Sequence, residues 1–338
     1  MYTTTIKFNI PKILEYILND LQELGARPIL VGGCVRDYFL NIPVKDYDVE
    51  IFGIDCFDTI ENSLKKFGSV KLVGKSFGVL TLRVDNYDFD FALPRREKKI
   101  GNTHQDFEVI TDANLSFKEA AIRRDFTINA IGYDFSKKEF LDPFNGLSDL
   151  KARVIKHIDD NTFIEDSLRV YRAVGFASRF NFKLEEKTKE LCKQIVLEDE
   201  LKYLPKERVF EEFKKLFLKS IKPSIGFELI YELGILKYFP ELKALIGCIQ
   251  DKEYHPEGDV WIHTMMCLDE LARIIKEEKI DDALFYRDAN YVIYIDKGYE
   301  DEVLNGNNPL IKIKSSGDYS SSLAEMLLER YLKTQDVL

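Results

Sequence analysis

The chain has 338 residues, 45% of them apolar and 31% charged, with a formal net charge of −10. Its length points to two or more domains, and its acidic balance excludes a protein that coats nucleic acid non-specifically, since such coating needs a basic surface. No apolar run approaches the roughly 18 residues of a membrane span, no export signal is read at the N-terminus, and five scattered cysteines without a CxxC pair speak against a disulfide framework or a cysteine zinc site, so a cytoplasmic protein without a membrane partner is expected.

Residues 10 to 25, IPKILEYILNDLQELG, carry apolar residues at helical spacing and predict a helix that ends at Gly25. RPILVGG predicts a short buried strand running into a glycine turn, VRDYFLN a short helix, and KDYDVEIFG an alternating strand. DTIENSLKKFG predicts a helix, followed by strands in SVKLVG, FGVLTLRVD and YDFDFAL. The N-terminal part therefore reads as α/β with a small, partly antiparallel sheet. Residues 94 to 115 are polar and lose periodicity, which predicts a mobile loop. AAIRRDFTINAIGYD reads as helix then strand, and DPFNGLSDLKAR as a turn and connection at a domain boundary. From about residue 160 to 275 the pattern is nearly all helical. Beyond it, YVIYID and PLIKIK read as strands, KSSGDYSSS as a flexible linker and LAEMLLERYLK as a final helix.

On an extended strand, residues two apart point to the same side, so Asp46 and Asp48 aim both carboxylates at one patch. Like charges that close repel unless a cation lies between them. A hard divalent ion takes carboxylate oxygens together with substrate phosphates. Upstream, Gly32 and Gly33 put backbone N–H groups where a helix begins, which suits a phosphate, and Arg36 adds a positive charge. Two aspartates on a surface strand are common by themselves. The ordered set of strand, Gly-Gly, Arg-Asp and D-x-D on the next strand is far more specific.

That set, LVGGCVRDYFLNIPVKDYDVEIFG, resembles the signature of class II tRNA nucleotidyltransferases (CCA-adding enzymes) and bacterial poly(A) polymerases. IRRDFTINAIGYD is similar to the family's second motif, and IEDSLRVYRAVGFASRF to its base-recognition helix. The resemblance covers roughly residues 28 to 240 and continues more weakly to about 275. It implies an α/β polymerase-β-like nucleotidyltransferase head followed by an all-α neck and body. Residues 1–147 would form the catalytic domain and 148–240 a helical region for base recognition and RNA binding. Residues 241–338 would form a helical body with a degenerate phosphohydrolase-like start and an atypical tail. No fold is assigned to residues 280 to 338. The resemblance implies Asp46 and Asp48 as the catalytic ligands of Mg2+. It implies Gly33, Arg36 and Arg124 as nucleotide contacts, and Asp166, Arg169 and Arg172 as the base-selecting group. Asp90 is the expected third carboxylate, ahead of Asp88. CTP and ATP are the implied substrates and the 3′ end of tRNA the implied partner. The implied activity is addition of C, C and A, and the 94–115 loop is expected to reshape the site between C and A addition. A poly(A) polymerase, or a tRNA nucleotidyltransferase that adds only CC or only A, shares the same motifs.

The residue types suit that task. Asp166, Arg169 and Arg172 stand three apart, which on a helix places them on one face. A carboxylate accepts hydrogen bonds and a guanidinium only donates. Cytosine and adenine both present an exocyclic amine beside a ring-nitrogen acceptor, whereas uracil and guanine present a carbonyl and an N–H. The wrong bases leave buried groups unpaired, at about 1–3 kcal/mol each. One position departs from the family pattern: Gly175 stands where an arginine is usual, three residues after Arg172.

Residues 201 to 222 hold seven basic and three acidic residues, a local reversal of sign that suits either a solvated helix face or an RNA backbone. Phe210, Phe213 and Phe217 in that stretch read as core. HPEGDVWIHTMMCLDEL is similar to the start of the metal-dependent phosphohydrolase (HD) domain that some family members append. That domain needs a His-Asp pair further on, and this chain contains none, so His255 and His263 read as structural and no phosphohydrolase activity is expected.

Overall fold

A computed structural model describes residues 8–73, 78–99, 107–277, 284–288 and 291–295. Helix α1 (Lys12–Glu23) forms where Leu14, Ile17, Leu18 and Leu21 recur at helical spacing, and all four are fully buried. It stops because Gly25 takes a φ of 91° and returns its N–H to the Gln22 carbonyl at 2.9 Å. There follow β1 (Arg27–Val31), α2 (Gly33–Phe39), β2 (Asp46–Phe52), α3 (Phe57–Leu64), β3 (Val70–Val73), β4 (Val79–Val84) and β5 (Tyr87–Ala92). Next come β6 (Arg95–Lys99), β7 (Phe107–Thr111), α4 (Phe117–Ala121), β8 (Gly132–Asp134) and β9 (Glu139–Leu141).

Seven of these strands form one mixed sheet in the order β3-β4-β5-β2-β1-β8-β9. β2 and β5 pair in parallel, and every other neighbouring pair is antiparallel. The period-2 alternation sorts the faces. Tyr47, Val49, Phe89 and Phe91 enter the core, while Asp46, Asp48, Asp88 and Asp90 lie on the opposite face.

Two local expectations are corrected. Residues 94 to 115 are not a plain loop. β6 and β7 pair as an antiparallel ribbon with Arg95 opposite Thr111, and Asp112 N–H closes its base on the Pro94 carbonyl at 3.0 Å. Neither five-residue strand has enough alternation to be read alone, since each finds its hydrogen-bond partners only in the other. The stretch DPFNGLSDLKAR holds helix α5 (Gly146–Ala152). It starts because the Asp142 carboxylate accepts from Gly146 N–H at 2.6 Å and Leu147 N–H at 2.9 Å.

A two-residue parallel pair, β10 (Val154–Ile155) with β11 (Lys183–Leu184), ties the helical part together. Its helices are α6 (Asp160–Glu165), α7 (Leu168–Phe180), α8 (Glu186–Leu197), α9 (Lys206–Lys219), α10 (Pro223–Glu232), α11 (Pro240–Lys243) and α12 (Val260–Glu277). Aromatic side chains join them: the Phe213 ring lies 5.8 Å from Tyr171 and 5.2 Å from Phe239, and Phe227 lies 6.3 Å from Trp261. Phe213 and Phe217 pack on the core as expected, but Phe210 is 64% exposed. Three- and four-residue steps drift around a helix, and Phe210 falls outside the packed stripe. The main buried cluster runs without a break from Phe8, ahead of α1, to Met265 in α12, so sheet and helices share one packed interior.

β12 (Leu284–Asp288) pairs antiparallel with β13 (Tyr291–Ile295), the strand read in YVIYID. PLIKIK and LAEMLLERYLK lie outside the described residues. Among the described residues, no helix is long and apolar enough to cross a membrane.

Candidate active site

A cavity of about 490 Å³ lies between the β1–α2 turn, the segment after α4, α7 and α9. It gathers Gly33, Arg36, Asp48, Arg124, Asp166, Arg169 and Arg172, seven of the eight predicted site residues. Asp46 is not part of its lining and sits, exposed, at the start of β2. Nine lining side chains are cationic and four acidic, on a chain whose net charge is −10. The cavity therefore concentrates positive potential suited to a polyanion.

The turn between β1 and α2 is shaped by Gly32. Its φ of 72° and ψ of −132° belong to glycine, and a Cβ there would stand 3.2 Å from both Arg124 Nη1 and Asp48 Oδ2. The strained glycine is thus Gly32, while Gly33 already belongs to α2. Gly32→Ala is expected to destabilise the fold by about 1–3 kcal/mol, read as a lower urea midpoint, because backbone strain and the close approach add.

Register decides which carboxylates meet. β2 and β5 place Asp46 beside Asp88 and Asp48 beside Asp90. Arg83 Nε reaches Asp88 at 3.4 Å, and Thr81 Oγ1 donates to Asp90 at 2.5 Å. Surrounding protein pushes the Asp48 carboxyl above the ordinary carboxylate range. Arg124 pulls it down, and Asp90, Glu50 and Asp46 push it further up. The carboxylate still reaches solvent. Neighbouring carboxylates of this kind are the donor type that a hard divalent cation takes.

Beneath that edge, Glu50 is buried and accepts from Arg123 Nη2 and Arg124 Nη2, each at 2.8 Å. It aims both arginines of the RRD motif. The Arg124 guanidinium titrates above its ordinary range although burial opposes this, because Glu50 and Asp48 stabilise its charge. Among the described residues, Glu50 Oε2 and Arg124 Nε are buried without a hydrogen-bond partner, and of these two residues Arg124 lines the cavity.

The three sequence motifs meet in a chain of hydrogen-bonded charged side chains bridged by the Asn129 amide. Arg172 donates to Asp125 Oδ2 from Nε at 2.8 Å and from Nη2 at 2.5 Å. Asp125 Oδ1 accepts from Asn129 Nδ2 at 2.8 Å, and Asn129 Oδ1 accepts from Arg36 Nη1 at 2.6 Å. Arg36 Nε donates to Asp37 at 2.7 Å, and Arg179 Nη2 reaches the other oxygen of Asp37 at 3.2 Å. Arg36 is buried, with its guanidinium over the rings of Phe176 (5.2 Å) and Phe180 (4.9 Å). Burial works to raise the Asp125 carboxyl, but Arg172, Asn129 and Arg169 hold it below its ordinary range.

The base-recognition segment is corrected in one respect. The expected single helix is two, α6 and α7, broken at Asp166 and Ser167. Asp166 has extended backbone (φ −121°, ψ 96°) and lies before α7, so it does not share a helical face with Arg169 and Arg172. The cause is local capping. Asp166 Oδ1 accepts from Leu168 N–H at 3.1 Å, and its carbonyl accepts from Arg169 N–H at 3.0 Å. The cavity still receives all three side chains. Arg169 is held by two backbone carbonyls, of Thr162 at 2.6 Å and Arg123 at 2.5 Å, which fixes its plane.

Sequence reading misses Asp125, Asn129, Arg179, Glu212, Lys215 and Lys219, all part of the lining. The sign reversal in residues 201 to 222 is the one signal that points toward Lys215 and Lys219. Gly175 also lines the cavity, and a Cβ there meets nothing within 4 Å. Gly175→Ala is expected to stabilise the protein by about 0.5–1 kcal/mol, the ordinary gain of alanine over glycine in a helix. A raised urea midpoint would show that Gly175 serves neither packing nor backbone strain.

Residues 29–156 match the model of the "Poly A polymerase head domain", and residues 181–246 that of the "Probable RNA and SrmB- binding site of polymerase A". The chain is 39% identical over 249 residues to the "Multifunctional CCA protein" of Pseudoalteromonas atlantica, a match covering 72% of this chain and 59% of that protein. The chain thus spans less than two thirds of the length of that relative. Among solved structures it resembles a tRNA nucleotidyltransferase complexed with a primer tRNA and an incoming ATP analog. That match has 30% identity and a TM-score of 0.54, and covers 70% of this chain and 64% of that one. It also resembles the Thermotoga maritima CCA-adding enzyme complexed with tRNA, with 27% identity, a TM-score of 0.57 and coverage of 69% and 53%.

Proposed function

The chain belongs to the family that joins a poly A polymerase head domain to an RNA-binding companion, and from that premise we propose that it is a template-independent nucleotidyltransferase that adds CMP and AMP to the 3′ end of tRNA. CTP and ATP are its substrates and Mg2+ its cofactor, and the cytoplasm is where it would meet them. One observation supports the reading above others: the carboxylate edge with Asp48, the guanidinium of Arg124 and the pair Asp166 and Arg169 open into the same cavity.

The residues divide the work. Asp46 and Asp48 would hold Mg2+, which when bound supplies Lewis-acid stabilisation of the attacking and departing oxygens. Gly32 and Gly33 let the triphosphate approach the backbone. Arg36 and Arg124 face its negative charge, with Arg172 alongside. Asp166 accepts from the exocyclic amine of cytosine or adenine, and Arg169 donates to the adjacent ring nitrogen from a plane its two carbonyl bonds already set. Lys215 and Lys219 on α9 meet the RNA backbone at the cavity rim. The 3′-hydroxyl then attacks the α-phosphorus, and the bond to pyrophosphate breaks in line.

The test is an end-sequencing assay on tRNA lacking C, C and A, lacking C and A, or lacking A, supplied with CTP, ATP and Mg2+. Completion to CCA followed by a stop is expected. Long A tails would mark a poly(A) polymerase, arrest after CC a partial enzyme, and no extension would end the reading.

A further inference from the structure

A second cluster of ligand-type side chains lies outside the cavity, where the chain enters α12. His255, Glu257 and His263 each offer one ligand atom, and these atoms lie within 4.8 Å of one another. His255 Nδ1 is 3.3 Å from Glu257 Oε1, and His263 Nδ1 bonds the same oxygen. The two imidazoles stand edge to face with centroids 5.0 Å apart. Both are about one-third exposed, so an ion can reach them from solvent.

The scaffold holds this arrangement in place. Gly258 takes a φ of 74°, and its N–H bonds the His255 carbonyl at 2.8 Å, which wraps the backbone around Glu257. Asp259 caps α12 through Trp261 N–H at 2.8 Å and pins Gly247 N–H at 2.8 Å. His263 then projects from the first turn of α12 back toward the loop.

Two features go beyond packing. Both imidazoles aim Nδ1 at one and the same carboxylate oxygen, although a carboxylate has two. And Cys267 Sγ lies 3.4 Å from the far nitrogen, Nε2, of His263. A ligating histidine is held at its other nitrogen, ordinarily by a carboxylate, a carbonyl or water; here the Cys267 sulfur, a weaker acceptor, stands in that place.

We propose that His255, Glu257 and His263 form a binding site for a borderline divalent ion, Zn2+ before others. Two imidazoles and one carboxylate make a zinc-type set that leaves a fourth position open. An ion bound at Nδ1 takes the neutral tautomer of His263 whose single proton sits on Nε2, toward Cys267 Sγ, and takes Glu257 as the carboxylate. The site is separate in chemistry from the all-carboxylate edge at Asp48, and its ligand set contains no His-Asp dipeptide.

The experiment uses the full chain, dialysed against Zn2+ in a large excess of Mg2+, with bound metal counted by mass spectrometry. One Zn2+ per chain is expected. His255→Ala, Glu257→Gln and His263→Ala should each weaken binding by at least about 10–100-fold, the scale that outer contacts alone produce. Asp46→Asn with Asp48→Asn should leave it unchanged. His255→Asn lies in the loop rather than on α12, and decides the matter should the helix variant not fold by circular dichroism. Absence of Zn2+ binding under Mg2+ competition overturns the proposal. So does binding that survives all the ligand changes, or that is lost only with Cys267→Ser or with the Asp46 and Asp48 pair.

Discussion

Asp48→Asn is expected to lower kcat for nucleotide addition by at least about 10³-fold, about 4 kcal/mol in barrier height at 1.36 kcal/mol per tenfold, while the fold survives. Asp48 is the one predicted metal ligand that lines the cavity, and it lies in register beside Asp90. Asparagine keeps the shape and one acceptor but removes the charge that holds a cation. Stability should move the other way. The Asp48 carboxyl sits above its ordinary range, first through burial and then through Asp90, Glu50 and Asp46, so its ionisation works against the metal-free fold. For an acid shifted upward, this contribution favours the fold below the unfolded-state value and fades as pH rises. The metal-free Asp48→Asn protein should therefore match or exceed the unaltered chain in urea midpoint at neutral pH. Mg2+ should raise the melting temperature of the unaltered chain and leave the variant unmoved. A variant that keeps a tenth of the activity would contradict the assignment of Asp48.

Asp125→Ala is expected to destabilise the protein by about 3–5 kcal/mol, the range for removing one partner of a buried ion pair. Asp125 is buried and meets three groups at once. Its loss strands the Arg172 guanidinium and leaves Asn129 Nδ2 and Phe126 N–H without their acceptor. Asp125→Asn should fall between, because an amide keeps an acceptor but not the charge. The pH dependence separates charge from shape. The Asp125 carboxyl is held below its ordinary range, so its contribution is complete above the unfolded-state carboxylate value and vanishes as pH falls through the lowered one. Unfolding curves of Asp125→Ala and the unaltered chain should thus converge in acid and diverge toward neutral pH. A constant gap across that window would mean that packing, not charge, is what Asp125 supplies.

The same chain of contacts ties Asp125 to the cavity. Arg172, Asp125, Asn129, Arg36, Asp37 and Arg179 alternate donor and acceptor across three motifs that lie far apart in sequence. Breaking it in the middle loosens Arg36 and Arg172 together. Nucleotide addition by Asp125→Ala should suffer even where the protein remains folded.

Much of this was readable from local patterns. The period of two in KDYDVEIFG and YDFDFAL predicts which residues turn inward, and Tyr47, Val49, Phe89 and Phe91 are indeed core. The helical spacing in residues 10 to 25 predicts α1 and its glycine stop. Such signals are legible because period and capping act between near neighbours. The misreadings share the opposite cause. The ribbon of β6 and β7 exists only as a pair. The break at Asp166 comes from its side chain capping Leu168, a choice that i, i+3 spacing does not reveal. Phe210 matches its neighbours in type yet faces solvent, since which side of α9 is covered depends on where α7 and α10 lie.

By itself, then, the sequence determined the order of elements from α1 to β5, the inward and outward faces of those strands, and the residue types assembled for phosphate, metal and base. It could do so because those properties are set within one or two turns of chain. Only the tertiary structure decided that Asp48 stands beside Asp90 rather than Asp88, that Asp125 joins Arg172 to Arg36 through Asn129, and that Lys215 and Lys219 face the cavity. Those outcomes rest on strand register and helix packing, where contacts between distant residues outweigh local preference.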